Sequence, residues 1–291
     1  MKSKTTILFL FSFIFPFLSY SQLPAADSSF YTLKEALNQP SKVALLDLSN
    51  MELDSLPNDI QKFKNVRYLL LQGNHFNRLP QWLATLPVLE NLVLNTNYFV
   101  EFPTVLFKMN HLKALDLSYN HLNVIPDSIE YLTDLNQLLL SSNHLMEINK
   151  CIYKLSDLTE FRIRDNFISE IPAGISNLKK LQVFCIAINQ VKSIPAEFFS
   201  LNNLNYISVF ENAIAELPEL VCNFQKLQYI AIFTNQLKKL PVCLLSLPEI
   251  KVINAGNNQY PVSVIEELMN INNRKIYDIY LHPNMDRHYF H

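Results

Sequence analysis

The feature that most constrains this chain is a period of 23 residues. Asparagine recurs at Asn74, Asn97, Asn120, Asn143, Asn166, Asn189, Asn212, Asn235 and Asn258 without a gap or an insertion. One step earlier the slot holds Met51, with Asn50 beside it, so ten copies are present and the first is imperfect. Around each asparagine the pattern is that of Leu112–Pro126, LKALDLSYNHLNVIP, or L-x-x-L-x-L-x-x-N-x-L-x-x-I-P. A fixed period of this length means stacked coils, each burying its apolar face only against its neighbours.

Each position of the template has a physical reason. Leu115 and Leu117 alternate as in a short strand, so Ala114 and Asp116 face the other side. The asparagine amide both donates and accepts, so a column of them can satisfy backbone groups buried by the turn off the strand. Most copies then carry an apolar-proline pair, from Leu56-Pro57 to Leu240-Pro241. Proline removes a donor and disfavours a helical predecessor, so the outer wall is expected to hold short helical turns or extended chain and not full helices. The fifth copy has Ile148-Asn149 instead, read as tolerated drift, with a local bend as the other possibility.

These residues resemble the leucine-rich repeat family, in the 23-residue variety with L-P-x-x-I-x-x-L-x-x-L endings, over residues 43–261. The resemblance implies an α/β solenoid: a leucine-rich repeat horseshoe with a parallel concave β-sheet and a mostly irregular or short-helical convex side. It implies a scaffold for partners and says little about activity.

The termini complete the organisation. Residues 1–21 read as a secretory signal peptide: Lys2 and Lys4 open it, Ile7–Leu18 is apolar, and Ser19 and Ser21 stand at −3 and −1 of a cut before Gln22. The apolar run is about a dozen residues, short of the roughly 20 of a membrane span, so no transmembrane span is expected after cleavage. Secretion or retention in the cell envelope or periplasm is the expected address. Residues 22–42 read as a linker and capping helix over Tyr31–Gln39, with Thr32 and Glu35 at capping-box spacing. Residues 262–291 read as a cap: a helix over Val262–Ile271, a strand over Lys275–Leu281 and a polar tail with His282, His288 and His291.

Charge and composition exclude some functions. The chain has 24 Lys+Arg against 26 Asp+Glu; removing Lys2 and Lys4 leaves 22 against 26, a net −4. That gives no basic face for nucleic acid. No nucleophile–base set, glycine-rich phosphate loop or metal-ligand motif appears, so no enzyme activity, cofactor or metal is expected. Of the four cysteines, Cys222 and Cys243 fall in neighbouring coils; a bridge is one reading, and semi-buried thiols are the expectation. His75, His121 and His144 share the slot after the asparagine, read as a solvated position indifferent to residue type.

Candidate binding residues come from the strand positions that face away from the core. The first half gives a mixed column, Asp47, Leu70, Val93, Asp116 and Leu139. Later copies carry Arg162 and Arg164, then Ile188, Tyr206, Phe210, Tyr229 and Phe233, a set expected to form a solvent-facing aromatic patch. A protein or peptide ligand is the expected partner, and serine at both Phe210 and Phe233 would then leave stability nearly intact. The alternatives are a carbohydrate-binding module on the same face, and an intracellular signalling scaffold like the small-GTPase-associated proteins that this repeat resembles. The amino-terminal segment argues against the latter.

Overall fold

The structure, a computed structural model, describes residues 24–264 and 278–280. The signal-peptide reading, most of the closing helix and the histidine tail lie outside the described residues. Ten strands follow the repeat: β2 (Leu45–Asp47), β3 (Tyr68–Leu70), β4 (Asn91–Val93), β5 (Ala114–Asp116), β6 (Gln137–Leu139), β7 (Glu160–Arg162), β8 (Val183–Cys185), β9 (Tyr206–Ser208), β10 (Tyr229–Ala231) and β11 (Val252–Asn254). With β1 (Ser29–Phe30) and β12 (Asp278–Tyr280) they form one open sheet in sequence order, every pair parallel. The register advances by one period per strand, as in Leu115↔Leu138 and Asp116↔Leu139. Pairing continues past the strands, with Leu117 N–H donating to Leu139 O at 2.9 Å and Tyr119 N–H to Ser141 O at 2.8 Å.

The outer wall is a row of five-residue 3-10 turns, such as Asp127–Tyr131, all but one entered from an extended proline. Ile148-Asn149 introduces no break. Asn149 holds φ at −61°, and its side chain accepts from Cys151 N–H while Nδ2 donates to Ile125 O at 2.8 Å and to Asp127 at 2.9 Å. Asparagine thus keeps the proline geometry and adds a cap, so the drift reading holds and no bend is needed.

The asparagine column is the internal frame. Asn120 Nδ2 donates to Leu94 O, Leu117 O and Ser118 O, each at 3.1 Å, and its Oδ1 accepts from Phe99 N–H at 3.0 Å. The same set recurs at Asn97, Asn143, Asn166 and Asn235. The residue before each asparagine sits in the left-handed region, at φ between 48° and 57° for Thr96, Tyr119, Ser142, Asp165, Ile188, Glu211, Thr234 and Asn257. Such a residue costs about 1 kcal/mol or more, offset here by the amide bonds next to it. Gly73 occupies the same slot, where a Cβ would also run into the Asn50 side chain.

Between sheet and wall lies one continuous core, from Phe30 and Val43 to Ile253 and Ala255. Its aromatic section links Phe161 to Phe184 (centroids 6.1 Å) and Phe184 to Phe198 (5.4 Å). At the amino end, α1 (Leu33–Asn38) is capped by Thr32, which accepts from Glu35 N–H at 3.2 Å, and it buries Ala36. Ser29–Phe30, read as linker, instead pairs with β2, because Phe30 finds a place in the core. No helix among the described residues is long and apolar enough to cross a membrane.

Cys222 and Cys243 are joined as a disulfide between successive outer turns, with Cα atoms 5.7 Å apart. This corrects the expectation of thiols: a shift of 21 residues places the two Cβ atoms side by side. Cys151 and Cys185 are free and buried. Among the described residues, Glu219, Cys222 and Cys243 are the one group placed to hold a metal, and the disulfide occupies both sulfurs.

Candidate recognition surface

The concave face carries two apolar clusters separate from the main core. Leu45, Tyr68, Leu70, Val93 and Ala114 form the first; Cys185, Ala187, Phe210, Ala231 and Phe233 form the second, with Ile188 and Tyr229 packed against it. A polar band divides them. In it Gln137 donates to Glu160 at 3.1 Å, and Glu160 also pairs with Arg162. The first cluster was missed in the sequence because Asp47 and Asp116 interrupt one column; Tyr68 and Ala114, in the column beside it, were the signal.

In the second cluster the register brings like onto like. Tyr206 pairs with Tyr229, and their rings lie 4.6 Å apart at 4°. Phe210 and Phe233 stack at 4.3 Å and 10°. Cys185, Ser208 and Ala231 form the column between the two stacks, since alternate residues share a face. Arg162 reaches over the Tyr206 ring (5.6 Å) and Arg164 over the Phe210 ring (5.3 Å), the latter across Ala187. The sheet thus assembles Arg162, Arg164, Ile188, Tyr206, Phe210, Tyr229 and Phe233 on one surface.

Their exposure differs from expectation. Phe210 is only 8% exposed and Phe233 7%, while Ile188, both tyrosines and both arginines are half-buried. Small neighbours at Ala187 and Ala231 let the phenylalanine rings lie flat against each other, so the patch hides most of its own area. Serine at both positions would therefore cost stability, contrary to the sequence expectation.

Asp116 is the most perturbed acid on this face. Burial between Val93 and Leu139 raises it from 3.8 to about 6; the N–H and hydroxyl of Ser118 offset this in part, and the Glu160 charge adds to it. A folded value above the unfolded one means that the contribution of this carboxyl to stability is fully present below pH 4 and is lost as pH rises through 6. Asp116→Asn retains the Oδ1 acceptor for Ser118 N–H. It should raise stability by about 2 kcal/mol at pH 7.5, somewhat under the full linkage value. The gain should vanish at pH 3.5 in urea melts of both proteins.

A second aromatic array runs along the rim, where the strands turn. His75, Tyr98, His121, His144 and Phe167 stack successively, with centroids 5.6, 6.2, 5.6 and 6.1 Å apart. The slot is thus not indifferent across these five coils: every occupant is a flat ring, and the coil spacing places each against the next. Tyr98 and Phe167 are about half exposed.

Residues 87–145 match the leucine rich repeat family model. Receptor like protein 23 of Arabidopsis thaliana is 30% identical over 64 residues, a match that covers 22% of this chain and 7% of that protein. The chain spans less than a tenth of the length of that curated relative. An internalin of Listeria monocytogenes superposes with a TM-score of 0.64 at 18% identity, covering 91% of this chain and 93% of that one. The plant peptide hormone receptor RGFR1, solved in complex with RGF2, gives a TM-score of 0.59 at 22% identity over 83% of this chain and 44% of its own. The repeat, its hydrogen-bonded asparagines and these likenesses agree: the chain has the leucine-rich repeat fold, and its residues 87–145 match that family.

Proposed function

We propose that this protein is a non-catalytic recognition scaffold, secreted or held in the cell envelope, that binds a protein or peptide on its concave face. The observation that carries the reading is the second concave cluster. It lies outside the core, so the filling of the solenoid does not dictate its residues, yet its two ring stacks and two guanidinium groups are pre-ordered. Rigid aromatic anchors beside arginines lose little entropy when a partner docks. The similarity to a peptide hormone receptor supports a peptide-sized ligand. A glycan fits less well, because the rings face each other and Arg162 and Arg164 lie over Tyr206 and Phe210, leaving few free faces for sugar stacking.

The test uses residues 22–291 carrying the photo-crosslinker p-azidophenylalanine in place of the half-buried Tyr229, which keeps the ring, exposed to extract from the native setting. One protein or peptide should be captured, and Phe210→Leu with Phe233→Leu should weaken capture roughly tenfold while leaving the melting point within a few degrees, since leucine still fills the cluster. Equal capture by a crosslinker at Lys179 on the outer wall, or loss of capture after glycosidase treatment, would overturn the reading.

A further inference from the structure

The rim array borders a cleft of about 400 Å³. Tyr119, His121, His144 and Phe167 supply four rings around it, and Ser142 and Asp165 supply the polar groups. Tyr119 is 60% exposed and Phe167 48%, so both rings present open area. Asp165 is exposed and has no ion-pair partner among the described residues. Its backbone is spent: the N–H donates to Ala187 O at 2.9 Å and the carbonyl accepts from Asn143 N–H at 3.3 Å. The adjacent cation, Arg164, is turned over Phe210. The turn segments of these three coils and of the one before them, residues 95–102, 118–125, 141–148 and 164–171, hold Glu101, Glu147, Asp165 and Glu170 against Arg164 alone.

Ring faces attract cations, and a carboxylate among them favours a cation that can both stack and hydrogen-bond. A guanidinium does both: its plane lies on a ring while its fork meets the carboxylate, and it sheds water more readily than an ammonium. The imidazole rings of His121 and His144 add polar ring atoms to the same wall. We propose that this cleft is a pocket for one arginine side chain of a protein partner, a second contact point on the rim, independent of the concave-face reading.

The experiment follows His121, His144 and Phe167 ring resonances by NMR in residues 22–291 as peptides are added. The probes are acetyl-Gly-Ala-Arg-Ala-Gly-amide and the same peptide with citrulline or lysine in place of arginine. The arginine peptide should shift all three rings saturably in the millimolar range, with citrulline and lysine at least about tenfold weaker. Asp165→Asn tolerates the left-handed backbone (φ 56°) and should weaken binding about tenfold, while Glu101→Gln leaves it unchanged. Equal shifts with citrulline or lysine, or no effect of Asp165→Asn in a protein of unchanged circular dichroism, would overturn the assignment.

Discussion

Replacing Asn120 by alanine should lower the free energy of unfolding by about 4 kcal/mol, although it removes no apolar contact of note. The side chain is 4% exposed and its amide serves four backbone groups in two successive coils: Phe99 N–H, and the carbonyls of Leu94, Leu117 and Ser118. Each buried backbone group left unpaired costs about 1–3 kcal/mol. Water entering the vacated space should relieve a part of that, hence a value near the lower end of the sum. Urea unfolding followed by circular dichroism gives the total, and hydrogen exchange at Phe99 locates it. At Asn258, half-buried in the last described coil, the same change should cost about half as much. Equal losses at Asn120 and Asn258, or a loss under about 1 kcal/mol at Asn120, would mean that water already serves these groups.

Phe184→Ala should cost about as much, about 4 kcal/mol, for a different reason. Phe184 is fully buried and bridges Phe161 and Phe198, so truncation opens a cavity that neither ring can close from its own coil. The template shows why the site cannot relax. The strand slot holds leucine through Leu138, then Phe161 and Phe184, then Ile207 and Ile230. On the outer wall the facing slot rises to Phe198 and falls to Val221 in the next coil. Both slots are largest in the one coil that holds Phe184 and Phe198, and the smaller Ile175 and Val221 of the flanking coils leave nothing to fill the gap when one ring is removed. Phe184→Leu should cost only about 1 kcal/mol. A midpoint for Phe184→Ala that matches the leucine variant would show that the neighbouring coils collapse onto the gap.

Most of the fold was legible because a solenoid is written locally. The 23-residue period states the register of every strand, and the asparagine states where each coil turns. What was less legible depends on how far neighbouring side chains cover one another. Period-two alternation places Phe210 and Phe233 on the inner face, but only the small residues at Ala187 and Ala231 explain why the rings lie flat and mostly hidden. The rim array is hard to read from residue type, because a slot that holds His75, His121 and His144 beside other residues looks indifferent to what fills it. Tyr98 and Phe167 show that planarity is the shared property. The Cys222–Cys243 pair lay within reach of spacing alone, since residues one coil apart are neighbours, but spacing does not say whether two outer-turn sulfurs point toward each other.

That covalent link has a mechanical consequence. Quasi-one-dimensional stacks peel from their ends, each coil needing only its single neighbour to let go. The staple lies across the outer turns that follow β9 and β10, so the coils of β9 and β10 stay tethered even when the sheet beyond them opens. Fraying that starts at the carboxyl end meets a stop there, in front of the stacked tyrosines and phenylalanines of the inner face.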